Sequence, residues 1–292
     1  MVNTQYNVYW NDEYTVSQYA FDTTRKSGHV AEAIRAGGAD VTLVDPDGFT
    51  RRATELIRSV HDTDYVEAVM TGSPTDLANS QGFDWDPGIP TMAAAHSAGL
   101  VAAVTDVLSG NGRVAGSLSS GLHHARAGRG AGYCTFNGLV VAARAAFDLG
   151  AQRLLVLDLD AHCGGGTRSM TDPASVVQVD VSTIRFDRWM PSGDDVLLFA
   201  DRADYLEQVD AALARADQAG PFDLVLYNAG MDPATDSGVT PEVIRTREQR
   251  VAEWADGHDH PLVFALAGGY TSGSVSMDQL VELHLETVRS FT

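Results

Sequence analysis

Short apolar runs recur along the chain at residues 6–10, 41–44, 113–118, 154–157, 176–181, 224–227 and 262–266. Each has the length and composition of a buried strand, and the run Leu154-Leu155-Val156-Leu157, apolar at every position, predicts a strand covered on both faces. Between the runs lie longer stretches of helical character, at 23–36, 53–60, 64–70, 91–108, 137–149, 202–218, 241–254 and 277–289. Glycines punctuate several of the ends, among them Gly37-Gly38 and Gly110, and residues 72–88 read as a polar loop. Strand and helix alternate throughout, with no repeat or long linker. The pattern predicts an α/β fold, a three-layer α/β/α sandwich around a mostly parallel sheet, in one domain spanning 1–292.

The stretch 153–162 adds chemistry to that pattern. Its apolar run leads into Asp158, Asp160 and His162, at the carboxyl end of a strand, where ligands gather in open parallel sheets. Side chains two apart in extended chain point the same way, so a carboxylate and an imidazole can converge on a zinc-like divalent ion. On this stretch alone, an aspartate pair serving as a helix cap or turn explains the residues equally well.

Composition narrows the setting. With 292 residues and 44% hydrophobic content the chain has material for a sizeable core. No apolar run of about 18 residues and no basic-then-apolar leader is evident, which predicts no membrane span and a cytoplasmic location. The formal net charge is −19, with Lys26 as the single lysine, which disfavours nucleic acid and anionic membranes as partners. Cationic substrates fit better, although acidity for solubility alone explains the charge equally well. The two cysteines, Cys134 and Cys163, do not make a disulfide framework.

Other strand ends carry polar residues of catalytic type. His123-His124 follow the run at 113–118, Asp232 follows that at 224–227, and Gly268-Gly269-Tyr270 follow that at 262–266. Asp232 brings a second carboxylate to the same edge, and a His/Asp/Asp site leaves positions open for water and substrate. Capped loops and turn-filling explain the histidine pair or the tyrosine singly, but less readily together.

These segments, taken in order, resemble the metal-dependent histone deacetylase family, within the arginase/deacetylase fold. The matching residues are Val60-His61-Asp62-Thr63-Asp64-Tyr65, Gly121-Leu122-His123-His124-Ala125, Gly132-Tyr133-Cys134-Thr135-Phe136-Asn137, Asp158-Leu159-Asp160-Ala161-His162, Asn228-Ala229-Gly230-Met231-Asp232 and Ala267-Gly268-Gly269-Tyr270. The wording is most similar to the class IV branch. The resemblance implies that Asp160, His162 and Asp232 hold zinc, with iron(II) or cobalt(II) as alternatives. It implies that His124 acts as general base and then acid, that His123 is oriented by Asp158, and that Tyr270 donates to a developing oxyanion. Gly132 and Tyr133 would line one side of an acyl channel, and Met190 would stand where the family usually places a second aromatic wall. Asp158 and Ser182 fall where the family binds potassium. The expected substrate is an acylated amine, either an acyl-lysine peptide or an acylpolyamine.

The chain departs from that pattern in places. Cys163 and Gly165 replace the family's second histidine and the aspartate that orients the second member of the histidine pair. His124 is therefore expected to lack a carboxylate partner, and Cys163 to be an inert buried thiol rather than a redox point. The usual His-Pro-Glu-Arg motif is absent, with residues 21–26 in its place. The missing partner motivates an alternative reading, a catalytically silent acyl-amine binding protein. A two-manganese ureohydrolase, the other rival, would need further bridging aspartates and gives Tyr270 no task.

Overall fold

The computed structural model describes residues 5–18, 22–120, 122–271 and 275–292. Eight strands form one sheet: β1 (Asn7–Tyr9), β2 (Thr42–Val44), β3 (Val114–Ser117), β4 (Leu154–Asp158), β5 (Val176–Ser182), β6 (Val196–Phe199), β7 (Leu224–Asn228) and β8 (Leu262–Ala265). Their order is β2-β1-β3-β8-β7-β4-β5-β6, and every pairing is parallel. Apart from β6, each corresponds to a strand expected from an apolar run. That edge strand is only half-buried, and its Val-Leu-Leu-Phe follows a polar connection that hides it in the sequence.

Eleven α-helices are found among the described residues: α1 (Asp22–Arg35), α2 (Thr50–Val60), α3 (Thr63–Thr71), α4 (Thr75–Ala78), α5 (Gly88–Leu108), α6 (Gly138–Asp148), α7 (Gly165–Met170), α8 (Tyr205–Ala219), α9 (Asp232–Asp236), α10 (Pro241–Gly257) and α11 (Met277–Ser290). The short helices α4, α7 and α9 were not expected. α4 interrupts the polar loop, and α7 and α9 each fill less than two turns, the first starting three residues after His162 and the second on Asp232 itself.

Alternation along the central strands splits the interior into two layers. Leu155 and Leu157 of β4, Val225 and Tyr227 of β7, and Leu262 and Phe264 of β8 face a core shared with α1, α8, α10 and α11. Leu154 and Val156, Leu224 and Leu226, and Val263 and Ala265 face the opposite core, with α2, α3, α5 and α6. Both faces are thus covered, which explains why β4 is apolar throughout. The expectation of no long apolar segment needs correction at α5, whose 21 residues are long and apolar enough to cross a membrane. Most of that helix is buried in the second core, where apolar faces all round are what packing requires.

Because all strands run the same way, their carboxyl ends share one edge of the sheet. β3, β8, β7 and β4 are consecutive there, and each leads into one of the candidate segments.

Candidate active site

Asp158 closes β4 and is buried. Its Oδ2 lies 2.8 Å from His123 Nδ1, and its Oδ1 accepts from Asn228 Nδ2 at 2.8 Å and from the Asp160 amide at 3.2 Å. Burial alone would lower the His123 pKa, but Asp158 and Asp160 outweigh it and raise the imidazole to about 9. The neighbouring ring is held differently: burial, followed by the charge of His123, lowers His124 to about 4. The two rings lie 4.0 Å apart between centroids. Asn137 secures the loop that carries them, donating to the carbonyl of Ala125 at 2.9 Å and that of His123 at 3.3 Å, while its own side chain caps α6. His61, from the first matching segment, has a structural role as well. Its Nδ1 meets the Arg126 carbonyl at 3.0 Å and its Nε2 accepts from the Asn137 amide at 3.0 Å. Gly121 and Phe21 lie outside the described residues.

Beside the histidine pair, Asp160, His162 and Asp232 bring ligand atoms within 4.8 Å of one another. His162 Nδ1 is 3.2 Å from Asp160 Oδ1 and 3.1 Å from Asp232 Oδ2. Burial pulls His162 down, yet hydrogen bonds and charge from the two carboxylates raise it to about 10. Asp232 is itself pushed up, by burial and then by Asp160. Two buried carboxylates pressed together carry an excess of negative charge that a cation would relieve. Their oxygen and nitrogen donors suit zinc and similar divalent ions, so the residues present fit a metal.

Tyr270 follows the turn Gly268-Gly269, whose φ angles of 59° and 88° are left-handed. A Cβ on Gly268 would lie 2.3 Å from Asp232 Oδ1, so the turn can pass over the carboxylates only as glycine. The Gly269 amide donates to that same oxygen. The Tyr270 phenol is half-buried, and burial with Asp232 and Asp160 drives its pKa well up, which keeps the hydroxyl a neutral donor. Sequence reasoning missed the residue that braces this turn: Lys26, fully buried, donates to the Gly268 carbonyl and, at 3.3 Å, to Ser120 Oγ. Burial lowers it to about 7 against the pull of Asp232 and Asp160. Its being the chain's single lysine was the available signal.

At the mouth, Tyr133 is 45% exposed at a φ of 63°, with Phe83 beside it at 5.2 Å between centroids. Gly132 runs against the histidines; a Cβ there would lie 2.4 Å from His124 Cδ2. Met190 is 77% exposed, whereas Phe186, four residues earlier, packs edge-on to His124 at 4.9 Å and to His162 at 5.9 Å. Residues 184–195, the loop between β5 and β6 that forms the rim here, are pinned by Trp189, buried, whose Nε1 donates to Asp180 Oδ2 at 2.7 Å. Ser182 ends β5, and its buried hydroxyl has no hydrogen-bond partner among the described residues. Cys163 is fully buried, and burial first raises its thiol to about 11, as an inert cysteine requires.

The expectation that His124 lacks a carboxylate is overturned. Asp187 Oδ2 lies 3.0 Å from His124 Nδ1, supplied by the rim loop instead of the segment after the metal-site histidine.

A parallel sheet carrying this donor cluster, histidine pair and tyrosine on one edge has the arginase/deacetylase type of fold. Comparison with known proteins makes the assignment specific: the profile of the family described as "Histone deacetylase domain" matches residues 21–188, more than half of the chain, and the chain belongs to that family. It is 30% identical to Histone deacetylase 2 of Arabidopsis thaliana over 54% of this chain and 44% of that protein. It is 29% identical to an uncharacterized protein of Picosynechococcus over 72% of this chain and 74% of that one. Acetoin utilization protein AcuC of Bacillus subtilis is 33% identical over 42% of this chain and 35% of its own length. The matches thus span less than half of the named curated relatives. Among solved structures, an acetylpolyamine aminohydrolase from Burkholderia pseudomallei superposes with a TM-score of 0.76 over 98% of both chains, at 18% identity. The HDA15 HD domain gives the same TM-score over 98% of this chain and 90% of that one.

Proposed function

We propose that this chain, acting as one catalytic domain, hydrolyses the amide bond of N-acylated amines, with an acyl-lysine peptide or an acylpolyamine as substrate. The observation that carries the reading is the histidine pair, each ring on its own carboxylate, set beside the Asp160/His162/Asp232 cluster. Zinc is the favoured ion for that cluster, where it would polarise the amide carbonyl and acidify water. His124, uncharged near neutral pH, takes a proton from the attacking water and returns it to the departing amine. His123, kept protonated by Asp158, sets a positive charge beside it. Tyr270, neutral, donates a hydrogen bond to the oxyanion that forms at the former carbonyl. Tyr133 and Phe186 are the aromatic walls for the acyl-amine stem. Potassium bound by Asp158 and Ser182 would engage the Ser182 hydroxyl, which has no hydrogen-bond partner among the described residues.

The silent-binder alternative rested on an unpartnered His124, and Asp187 removes its motive. The test is hydrolysis of a panel of acetyl-lysine peptides and acetylated polyamines by metal-reconstituted protein, beside an Asp160→Ala control. Turnover that disappears in the control together with bound metal supports the reading; a full metal complement with no turnover on any substrate rejects it.

A further inference from the structure

The carboxylate on His124 comes from an unexpected place, 63 residues along the chain, in the connection between β5 and β6. The Asp187 side chain is only 7% exposed, and its oxygens are fully engaged. Oδ2 accepts from the Gly166 amide at 2.9 Å and faces His124 Nδ1, while Oδ1 accepts from Arg126 Nη2. These donors outweigh burial and keep the acid ionised below its ordinary range. The residue sits at a φ of 57°, a left-handed conformation that aspartate tolerates better than most side chains.

Gly165 shows why the arrangement is exclusive. A Cβ at that position would lie 2.2 Å from the Asp187 carbonyl oxygen and 2.7 Å from its Oδ1. The rim loop can come down onto His124 only because position 165 has no side chain, so a carboxylate from the loop and one from position 165 cannot coexist. The same loop carries Phe186 against the His124 ring.

We propose that Asp187 is the positioning residue for His124. Accepting from Nδ1–H, it fixes the tautomer that leaves Nε2 with a free lone pair, and it ties the orientation of the base to the loop that walls the acyl channel. The catalytic consequence rests on the deacylase reading above; the tautomer does not.

The test uses full-length, metal-loaded protein labelled with ¹⁵N-histidine, with the His124 signal assigned by its loss in His124→Asn. Asp187→Gly keeps a residue suited to the left-handed backbone and opens space, whereas Asp187→Asn keeps shape and removes charge. The expected result is an Nδ1–H tautomer at His124 in the parent and a shift toward Nε2–H in Asp187→Gly. In turnover, kcat should fall about 10²-fold in both variants with KM and metal content little changed. Added formate should restore part of kcat in Asp187→Gly and none in Asp187→Asn. An unchanged His124 tautomer in Asp187→Gly, or a loss explained wholly by KM or metal content, would overturn the proposal. A tautomer shift in a protein whose parent form turns over no substrate would leave Asp187 in its positioning role and reject the deacylase reading instead.

Discussion

Arg247 and Glu248, neighbours on α10, form an ion pair with no solvent exposure beneath the candidate site. Arg247 Nη1 also donates to the carbonyls of Leu159, at 3.1 Å, and Gly230, at 2.6 Å, and Tyr227 donates to Glu248 at 3.0 Å. Leu159 precedes Asp160, and Gly230 lies two residues before Asp232, so one guanidinium fastens the two strand ends that present carboxylates to the metal cluster. Arg247→Met leaves the buried Glu248 without a cationic partner, held by the Tyr227 hydroxyl alone among the described residues. It should reduce unfolding free energy by about 3–5 kcal/mol, measured by urea titration, and weaken metal binding in the surviving folded fraction. Equal stability of variant and parent would mean the pair is replaceable by packing alone.

Tyr270→Phe removes one hydroxyl and little volume. With its donor gone, kcat should drop by about 10²- to 10³-fold while metal content stays that of the parent, as read by elemental analysis beside steady-state kinetics. Retained turnover would relieve Tyr270 of an oxyanion role.

Phe186 and Met190 separate channel wall from rim. Phe186→Ala strips the ring from His124 and His162 and should raise KM and lower kcat together. Met190→Ala, at a side chain 77% exposed, should stay within about twofold of the parent on both constants. The reverse ranking would return the channel wall to Met190.

His96 supplies a pH signature away from the metal cluster. It is buried, with Nε2 at 3.0 Å from the Tyr14 carbonyl and Nδ1 accepting from the Ser120 amide at 2.8 Å. Burial chiefly lowers its pKa from 6.5 to about 4. Above pH 6.5 neither state carries the proton, and its contribution to stability is complete. Between pH 6.5 and about 4 the unfolded chain binds a proton that the folded chain refuses, so stability declines with acidity by about 1.4 kcal/mol per pH unit. His96→Gln should flatten that part of a stability-against-pH curve; a slope identical to the parent's would place the acid sensitivity elsewhere.

The sheet was legible because burial on both faces leaves a signature in consecutive residues, as at Leu154 to Leu157, and glycines mark where helices stop. Asp158, Asp160 and His162 were legible because an apolar strand leads straight into them, although the extended period ends with β4 at Asp158, and it is the bend at 160–162 that brings Asp160 and His162 to Asp232. The rest depended on contacts between distant segments. Nothing local at Asp187 announces a left-handed turn onto a histidine 63 residues away, and the bare Gly165 that permits it read as a missing carboxylate. Phe186 and Met190 are both exposed apolar residues of one loop, and only the fold sets one of them against the His124 and His162 rings. β6 escaped because a half-buried edge strand of four residues carries little pattern.

The position of β8 bears on the order in which the molecule can come into being. β8 lies between β3 and β7, so it alone joins the strands from residues 7–117 to those from 154–228. During synthesis both groups of strands leave the ribosome before the segment that unites them. Until residues 262–265 insert, the histidine pair that follows β3 and the carboxylates that follow β4 and β7 belong to separate, open-edged sheets. A nascent or truncated chain ending before β8 would therefore expose two unpaired strand edges, and would be a natural client for chaperones and proteases before its candidate site could assemble.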